Sequence, residues 1–410
     1  MSESFIKGDM RMYKIEVNNL TKIFGSNPKE GLKRLNEGQG KEKILEETGM
    51  TVGVNNASFQ VKAGEFFVIM GLSGSGKSTL IRLVNRLIEP TAGEVLIDGH
   101  NITEMSKTDL MLTRRKKLAM VFQKFALFPH RTVQDNVEYG LEIQGMAKEE
   151  RSKKALKSIH DVGLKGYEES YPDQLSGGMQ QRVGLARALA NDSDILLMDE
   201  AFSALDPLIR KEMQDELLNL QSKLGKTILF ITHDLDEALK LGDRIAIMKN
   251  GSIVQVGTAE EILENPANEY VYNFVEDVDR SKVLVAGNVM KKPDVVTTWK
   301  DGPRMAVKKM EDAGLSSIFV VDKDKNLKGL LTIDSAIQAY KENKWVEDVL
   351  EQDYHTTTPD TPLNDLIGVA AESRYPIAVV EDNKLMGIIV RVSILSGLVL
   401  GKEQSEVTAE

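Results

Sequence analysis

The run GLSGSGKST, from Gly71 to Thr79, has the residue types and spacing that can grip a chain of phosphates. It fills the pattern GxxxxGK[ST] without a mismatch, follows the apolar stretch EFFVIM and precedes a helical run, the context that turns such a pattern into a site. Gly71, Ser73, Gly74 and Gly76 allow the backbone amides to curl around β- and γ-phosphates. Lys77 supplies a point charge, the Ser78 hydroxyl can ligate Mg²⁺, and Thr79 closes the motif. A second small-residue turn, Ser176-Gly177-Gly178 in LSGGMQQRVGLARALA, opens a run with helical apolar spacing at Val183, Leu185, Ala186 and Leu189. Amides at such a helix start also suit an anion, so one nucleotide would have two loops to meet.

The stretch DILLMDE, residues 194–200, is an apolar strand ending in two carboxylates. Behind a phosphate loop, Asp199 is placed to hold Mg²⁺ through water and Glu200 to orient or deprotonate an attacking water. Gln123 follows LAMVF and His233 follows TILFIT, each at the end of an expected strand. Residues of these types at strand ends are more often structural than catalytic, so neither is assigned by its position alone.

The elements that must position these groups alternate. Strand-like runs at Glu65 to Met70, Val95 to Asp98, Leu118 to Phe122, Ile195 to Met198 and Thr227 to Thr232 are separated by helix-like ones. This predicts an α/β layered domain with a largely parallel core sheet, followed near its end by a hairpin turning at Asn250-Gly251. Residues 105–190 are mostly helical in pattern and read as an inserted helical subdomain. Residues 25–53 are polar and rich in Gly, Lys and Glu, and read as a surface insertion with a short helix.

Further on, residues 316–337 (SSIFVVDKDKNLKGLLTIDSAI) match 374–395 (RYPIAVVEDNKLMGIIVRVSIL) at a spacing of 58 to 59. Each copy is too short to bury a core alone, so the pair is expected to pack with pseudo-symmetry. The expected division is 1–275, then repeats at 276–340 and 341–400, and an acidic tail at 401–410.

Bulk properties set limits. The chain has 410 residues, 41 % hydrophobic and 28 % charged, as in ordinary globular protein, and contains no cysteine, which excludes disulfides and thiol catalysis. A formal net charge of −10 argues against a nucleic-acid coat. The sequence shows no run of eighteen apolar residues and no signal-peptide core, so a cytosolic location is expected, with any membrane role coming through a partner. Between Lys148 and Lys165 six basic residues stand against three acidic ones, and Arg114-Arg115-Lys116-Lys117 form a basic quartet. Solvated helix faces explain both. A second reading sets Lys148, Arg151, Lys153, Lys154 and Lys157 against anionic lipid, a contact that salt would weaken.

Taken in order, GLSGSGKST, VFQ, LSGGMQQR, ILLMDE, SALD (Ser203 to Asp206) and ITH resemble the nucleotide-binding domain of ABC transporter ATPases over roughly residues 13–260. The resemblance implies a P-loop, RecA-like α/β domain with a helical subdomain, binding ATP and Mg²⁺. It implies that Gln123 links the metal and the attacking water to the membrane-domain interface, that His233 stabilises the γ-phosphate, and that Phe24 stacks on adenine where the family usually has Tyr. It also implies a head-to-tail homodimer in which Ser176 and Gly178 cap the γ-phosphate held by the partner's Lys77, with Asp206 at the seam. Soluble ABC ATPases of translation or repair usually have two such domains or a long coiled-coil insert, and this chain has neither.

The insertion after Phe24, the stretch MGLSGSGKSTLIRLVNRLIEPTAGEVLIDG and the C-terminal repeat together resemble the ATPase subunits of quaternary-amine importers, the glycine betaine/proline betaine systems. That implies a permease, a substrate-binding protein or domain, and a place at the cytoplasmic face of the membrane. Choline or carnitine is the alternative solute. The repeat itself resembles a tandem CBS (α+β) module, a common adenine-nucleotide sensor. Many such repeats carry a Thr with an Asp three residues later. Here Thr332 is followed by Ser335, and Val390 by Ser393, a departure from ordinary AMP or ATP binding. In the second copy Arg391 is the sole charge in the expected apolar strand MGIIVRV, Tyr375 precedes the companion strand, and Ile388 and Val390 offer apolar walls. Some members of the family bind cyclic di-AMP where two CBS modules meet, and these residues suit that ligand. The alternative is that the repeat only dimerises and Arg391 pairs with a carboxylate.

Overall fold

Burial separates two kinds of strand in the computed structural model, which describes residues 13–399 apart from 124, 125, 204, 277 and 299. The acidic segment 401–410 lies outside the described residues. Two compact units meet in sequence at Val275 and Glu276. In the first, β1 (Tyr13–Phe24) and β2 (Thr51–Lys62) alternate between buried and accessible positions and pair antiparallel, as strands with one wet face do. Two helices join them, α1 (Pro28–Asn36) and α2 (Lys41–Thr48). The insertion is therefore a packed helical pair with a small core of its own, Ile23, Ile44, Met50 and Val52, flanked by Leu32 and Leu35. Composition suggested a polar excursion with one helix because it does not show that the few apolar residues of the segment share a face.

β3 (Phe66–Met70) is buried at every position, as a strand covered on both faces must be. After it come α3 (Lys77–Val84), β4 (Ala92–Ile97) and β5 (His100–Asn101), and β2-β1-β4-β5 make a four-stranded antiparallel sheet. α4 (Lys107–Lys117) leads into β6 (Leu118–Val121), and α5 (Val133–Ile143), α6 (Lys148–Asp161) and α7 (Gly177–Ala190) pack on one another. Residues 105–190 are thus not purely helical, because β6 pairs parallel with β7 (Ile195–Asp199) in the core sheet. α8 (Pro207–Leu224), β8 (Thr227–Thr232), α9 (Leu235–Leu241), β9 (Arg244–Lys249), β10 (Ser252–Gly257), α10 (Ala259–Glu264) and α11 (Glu269–Val275) complete the unit.

The second sheet runs β10-β9-β3-β8-β7-β6, parallel except for β10, which returns through Asn250-Gly251. Both turn residues have positive φ, +54° and +88°, as a tight hairpin of this kind requires.

The second unit contains two copies of one motif. α12 (Ala286–Val289) precedes β11 (Val295–Thr297), α13 (Pro303–Ala313), β12 (Ser317–Val321), β13 (Leu327–Thr332) and α14 (Ile333–Glu342). β14 (Thr356–Thr357), α15 (Leu363–Glu372), β15 (Ile377–Glu381), β16 (Lys384–Ile389) and α16 (Arg391–Val399) repeat it. Each copy has a three-stranded sheet of the same order, one parallel and one antiparallel pairing. Phe319, Val321 and Leu330 of the first share a core with Ala378 and Leu385 of the second. The copies also exchange leading segments: Leu284, Ala286 and Val289 pack in the second core, and Val346 in the first.

Since Ile44 is fully buried in the small core of the insertion, Ile44→Ala is expected to cost roughly 2–4 kcal/mol of local stability. Limited proteolysis between α1 and α2 should accelerate accordingly.

Candidate functional site

Four adjacent parallel strands, β3, β8, β7 and β6, bring their carboxyl ends to one edge of the sheet, where ligands of open α/β sheets bind. The loop after β3 turns into α3, whose first residue is Lys77 and whose cap, Gly76, has φ +102°. A Cβ at Gly76 would stand 2.4 Å from the Gly53 carbonyl oxygen, so the tight approach of loop to β2 requires glycine. The crest, Leu72, Ser73 and Gly74, is exposed, while Ser75 and Lys77 are buried. The Lys77 ammonium donates to the Gly71 and Leu72 carbonyls at 2.8 and 3.1 Å, and burial pushes its pKa down despite the nearby Glu200 and Asp199 carboxylates.

Asp199 ends β7, is buried, and accepts from the Ser78 hydroxyl at 2.9 Å. Burial raises its pKa, against the Ser78 hydrogen bond and the Arg82 guanidinium 3.7 Å away. An ionised carboxylate there is costly without a cation, and the Ser78 and Asp199 oxygens are the hard donors Mg²⁺ takes. Glu200, the next residue, is where three expected participants meet. Its Oε2 accepts from Gln123 Nε2 at 3.2 Å and lies 3.3 Å from His233 Nδ1, while its Oε1 lies 3.9 Å from Lys77 Nζ. Neither Gln123 nor His233 was assignable from position alone, yet both converge on one carboxylate.

The other expected contacts are placed apart from this cluster. Phe24 is 39 % exposed at the end of β1, with Lys22 Nζ 5.1 Å from its ring centre and Gly53 packed so close that a Cβ would meet the ring at 2.8 Å. Thr79 Cγ2 borders the same spot. Ser176 caps α7, accepting from Met179 N at 3.3 Å, and is exposed. Gly178 lies against α8, where a Cβ would come within 2.6 Å of Ile209 Cγ2. Asp206 caps α8 and is exposed. Among the described residues, no hydrogen bond or ion pair joins Ser176, Gly178 or Asp206 to the phosphate loop of the same chain.

Comparison with known proteins agrees with this architecture. The ABC transporter family matches residues 54–203, and the CBS domain matches 286–342 and 346–400. The chain is 59 % identical to the glycine betaine/carnitine transport ATP-binding protein GbuA of Listeria monocytogenes, over 94 % of this chain and 98 % of that protein. It is 58 % identical to the glycine betaine transport ATP-binding protein OpuAA of Bacillus subtilis, over 95 % and 93 %. The chain belongs to the ATP-binding subunits of glycine betaine ABC transporters. Its first unit is an ABC ATPase and its second a tandem CBS module. A dimeric ATP-binding cassette solved in a post-hydrolysis state with ADP and phosphate superposes with a TM-score of 0.51 at 35 % identity, covering 60 % of this chain and 98 % of that one.

Several ABC ATPase residues carried no sequence signal. Arg82 reaches Asp199 from α3, and nothing in LIRLV marks it. The Tyr270 phenol, on α11, donates to the Met248 carbonyl at 3.4 Å, the carbonyl that a Cβ at Gly71 of the phosphate loop would meet at 2.3 Å. The basic face of α6 is smaller than expected. Arg151 donates to the buried Glu138 at 2.9 Å and is half-buried, whereas Lys148, Lys153, Lys154 and Lys157 are exposed. In the basic quartet, Arg114 donates to the Asn85 and Arg86 carbonyls and Lys117 pairs with Asp98 and Asp194, so those two are structural.

In the CBS module Arg391 does not lie in a strand. β16 ends at Ile389, opposite Ile377 where β15 begins, and Arg391 opens α16. Its partners are carbonyls, Ala370 at 2.8 Å and Ser373 at 3.0 Å, rather than a carboxylate. A cavity of about 390 Å³ is lined by Arg374, Tyr375, Ile389, Val390 and Arg391. Ile388 is not part of that lining and, like Tyr375, packs against the core shared by the repeats. Tyr375 donates to Glu351 at 2.9 Å. Thr332 caps α14 and donates to Ser335 Oγ at 2.8 Å, so both hydroxyls serve the helix start.

Gly76→Ala is expected to lower ATP affinity at least about tenfold, since it must shift the phosphate loop away from Gly53 and strain a left-handed cap. Equilibrium titration with a fluorescent ATP analogue measures it.

Proposed function

We propose that this chain is the ATP-hydrolysing subunit of an importer for glycine betaine or a closely related quaternary amine, acting as a head-to-tail dimer beneath a membrane permease. The observation that carries the reading is the convergence of Gln123, His233 and Lys77 on Glu200 at the carboxyl edge of the sheet. Gly71, Ser73, Gly74, Gly76, Lys77, Ser78 and Thr79 would wrap the phosphates, and adenine would stack on the exposed part of Phe24. Ser78, Asp199 and Gln123 would hold Mg²⁺, which neutralises phosphate charge when bound. Glu200 would then take a proton from the water that attacks the γ-phosphorus, as the bond to the ADP oxygen breaks, and His233 would steady the departing phosphate.

Exposure of Ser176 and Asp206, away from their own phosphate loop, supports their service to a second copy. Each copy would supply the cap of the other's nucleotide. Among the described residues no helix is long and apolar enough to cross a membrane, so attachment through a permease at the cytoplasmic face fits. A groove of about 370 Å³ bordered by Phe122, Phe128, Tyr139 and Arg187, close to Gln123 in sequence, suits a permease segment. A substrate-binding protein or domain would supply the solute on the other side. The exposed lysines of α6 offer a basic face to anionic lipid. Relatives named for glycine betaine or for glycine betaine and carnitine support the solute class, with choline or carnitine as the alternative.

For the CBS module, the cavity that joins Tyr375 to Arg374 and Arg391 supports cyclic di-AMP, an aromatic face for a purine beside cations for phosphate. Bound ligand would hold the modules so that the ATPase halves do not close productively. A module that serves only to dimerise is the alternative.

Two experiments test these readings. In the copurified permease complex, glycine betaine should stimulate ATP hydrolysis, and Glu200→Gln should lower kcat by about 100-fold or more with ATP binding kept. Stimulation by an unrelated solute alone would discard the betaine assignment, and rapid hydrolysis by Glu200→Gln would remove Glu200 from the mechanism. Calorimetric titration of cyclic di-AMP should show binding to the wild type and its loss in Arg391→Ala. No binding to the wild type would leave the module as a dimerisation unit.

A further inference from the structure

His233 stands between Thr232, tied to α9, and Asp234, tied to both α8 and α9, and the ties form one chain of polar contacts. Glu237, on the first turn of α9, is 6 % exposed and accepts from Gln214 Nε2 of α8 at 3.0 Å and from the Thr232 hydroxyl. Thr232 is the residue before His233, and its Oγ1 also accepts from the Asp234 amide at 3.0 Å, directly after it. Asp234 caps α9 through the Glu237 amide at 3.1 Å and pairs with Arg210 of α8, Nη1 to Oδ2 at 3.3 Å. The other arm of Arg210, Nη2, donates to the Leu205 carbonyl at 3.2 Å, inside the SALD loop. On the far side, Lys240 donates to Gln214 Oε1 at 3.2 Å, so both ends of the Gln214 amide are engaged.

Arg210 and Gln214 are four residues apart and so share one face of α8. That face reaches the side chains on both sides of His233, Asp234 directly and Thr232 through Glu237, and the Leu205 carbonyl in the loop that ends in Asp206. Thr232, Gln214 and Glu237 are buried and engaged with one another, while Arg210 and Asp234 are partly exposed and Arg210 Nε makes no hydrogen bond; deleting a buried member leaves the others without partners.

We propose that Arg210, Gln214 and Glu237 are positioning residues for hydrolysis: they clamp His233 and the Ser203–Asp206 loop to α8, so that the two move together. The proposal rests on the role given to His233 above. It makes the approach of a second copy at the SALD loop felt at His233 of the same chain, through Leu205, Arg210 and Asp234. None of the three touches nucleotide. Their effect is on where the imidazole stands when the γ-phosphate is cleaved.

The test is ATP hydrolysis by the purified transporter complex carrying Glu237→Ala, Glu237→Gln or Arg210→Ala, each alone and combined with His233→Ala. The alanine variants are expected to lose roughly tenfold or more in kcat, the scale of a misplaced catalytic group, while KM for ATP changes less than about twofold. Glu237→Gln keeps an acceptor for Gln214 and turns the second contact around, its amide donating to the rotatable Thr232 hydroxyl that the carboxylate accepts from, so it should retain most of the rate. In the His233→Ala background the alanine variants should cost nothing further. Because Glu237 is buried and its alanine variant can misfold, the partly exposed Arg210 carries the same expectation independently. A slow His233→Ala enzyme that Arg210→Ala slows another tenfold overturns the clamp alone. A full-rate His233→Ala enzyme overturns the role of His233, and the clamp with it.

Discussion

Glu200 is held in a left-handed backbone conformation, φ +47°, immediately past the end of β7, and the ATPase site is arranged around that constraint. A non-glycine residue there costs of order 1 kcal/mol or more, and it persists only where the surroundings over-determine it. Here they do. The Glu200 amide donates to Ile231 of β8 at 3.0 Å, and its carbonyl accepts from the amide and hydroxyl of Ser203. The turn separates the two carboxylates: Asp199 stays buried against Ser78, and Glu200 swings to Gln123 and His233. Two adjacent acids thereby acquire different environments, one suited to a cation and one to a water.

The parallel sheet makes that arrangement stiff. β3, β7 and β8 are buried throughout, so their carboxyl ends are fixed by packing on both faces and not by their own loops. What varies around the edge is the covering: the α1–α2 pair beyond Phe24, the α5–α7 group beyond Gln123, and α8 with α9 behind His233. Tyr270 adds a tie from α11, the last helix of the unit, to the Met248 carbonyl against which Gly71 of the phosphate loop packs. Polar contacts in these coverings join elements far apart in sequence, and each bears on a residue of the site.

Legibility in the sequence followed the range of the interaction. GLSGSGKST, DILLMDE and the Asn250-Gly251 turn are local patterns, where chemistry and backbone conformation are set by neighbours within a few residues. The strands they terminate were legible for the same reason, as were the two copies of the CBS motif. Arg391 was misplaced into a strand because its apolar neighbours continue the pattern of β16, whereas its guanidinium is held by carbonyls of the α15 region about twenty residues earlier. Arg151 read as a surface charge because its partner Glu138 lies on another helix. The exchange of leading segments between the repeats has no local signature at all.

The sequence alone determined the family, the order of the site motifs and the kind of chemistry, since glycine spacing, one lysine and paired carboxylates at a strand end admit few uses. Only the tertiary structure decided which lone polar residues belong with them. Gln123, His233 and Lys77 are up to 156 positions apart, and nothing in their own neighbourhoods records that the ends of β3, β8, β7 and β6 stand side by side. Hydrogen bonds of about 3 Å depend on the packing of whole strands and helices, and that packing comes from the summed burial of the core and not from any short stretch of the chain.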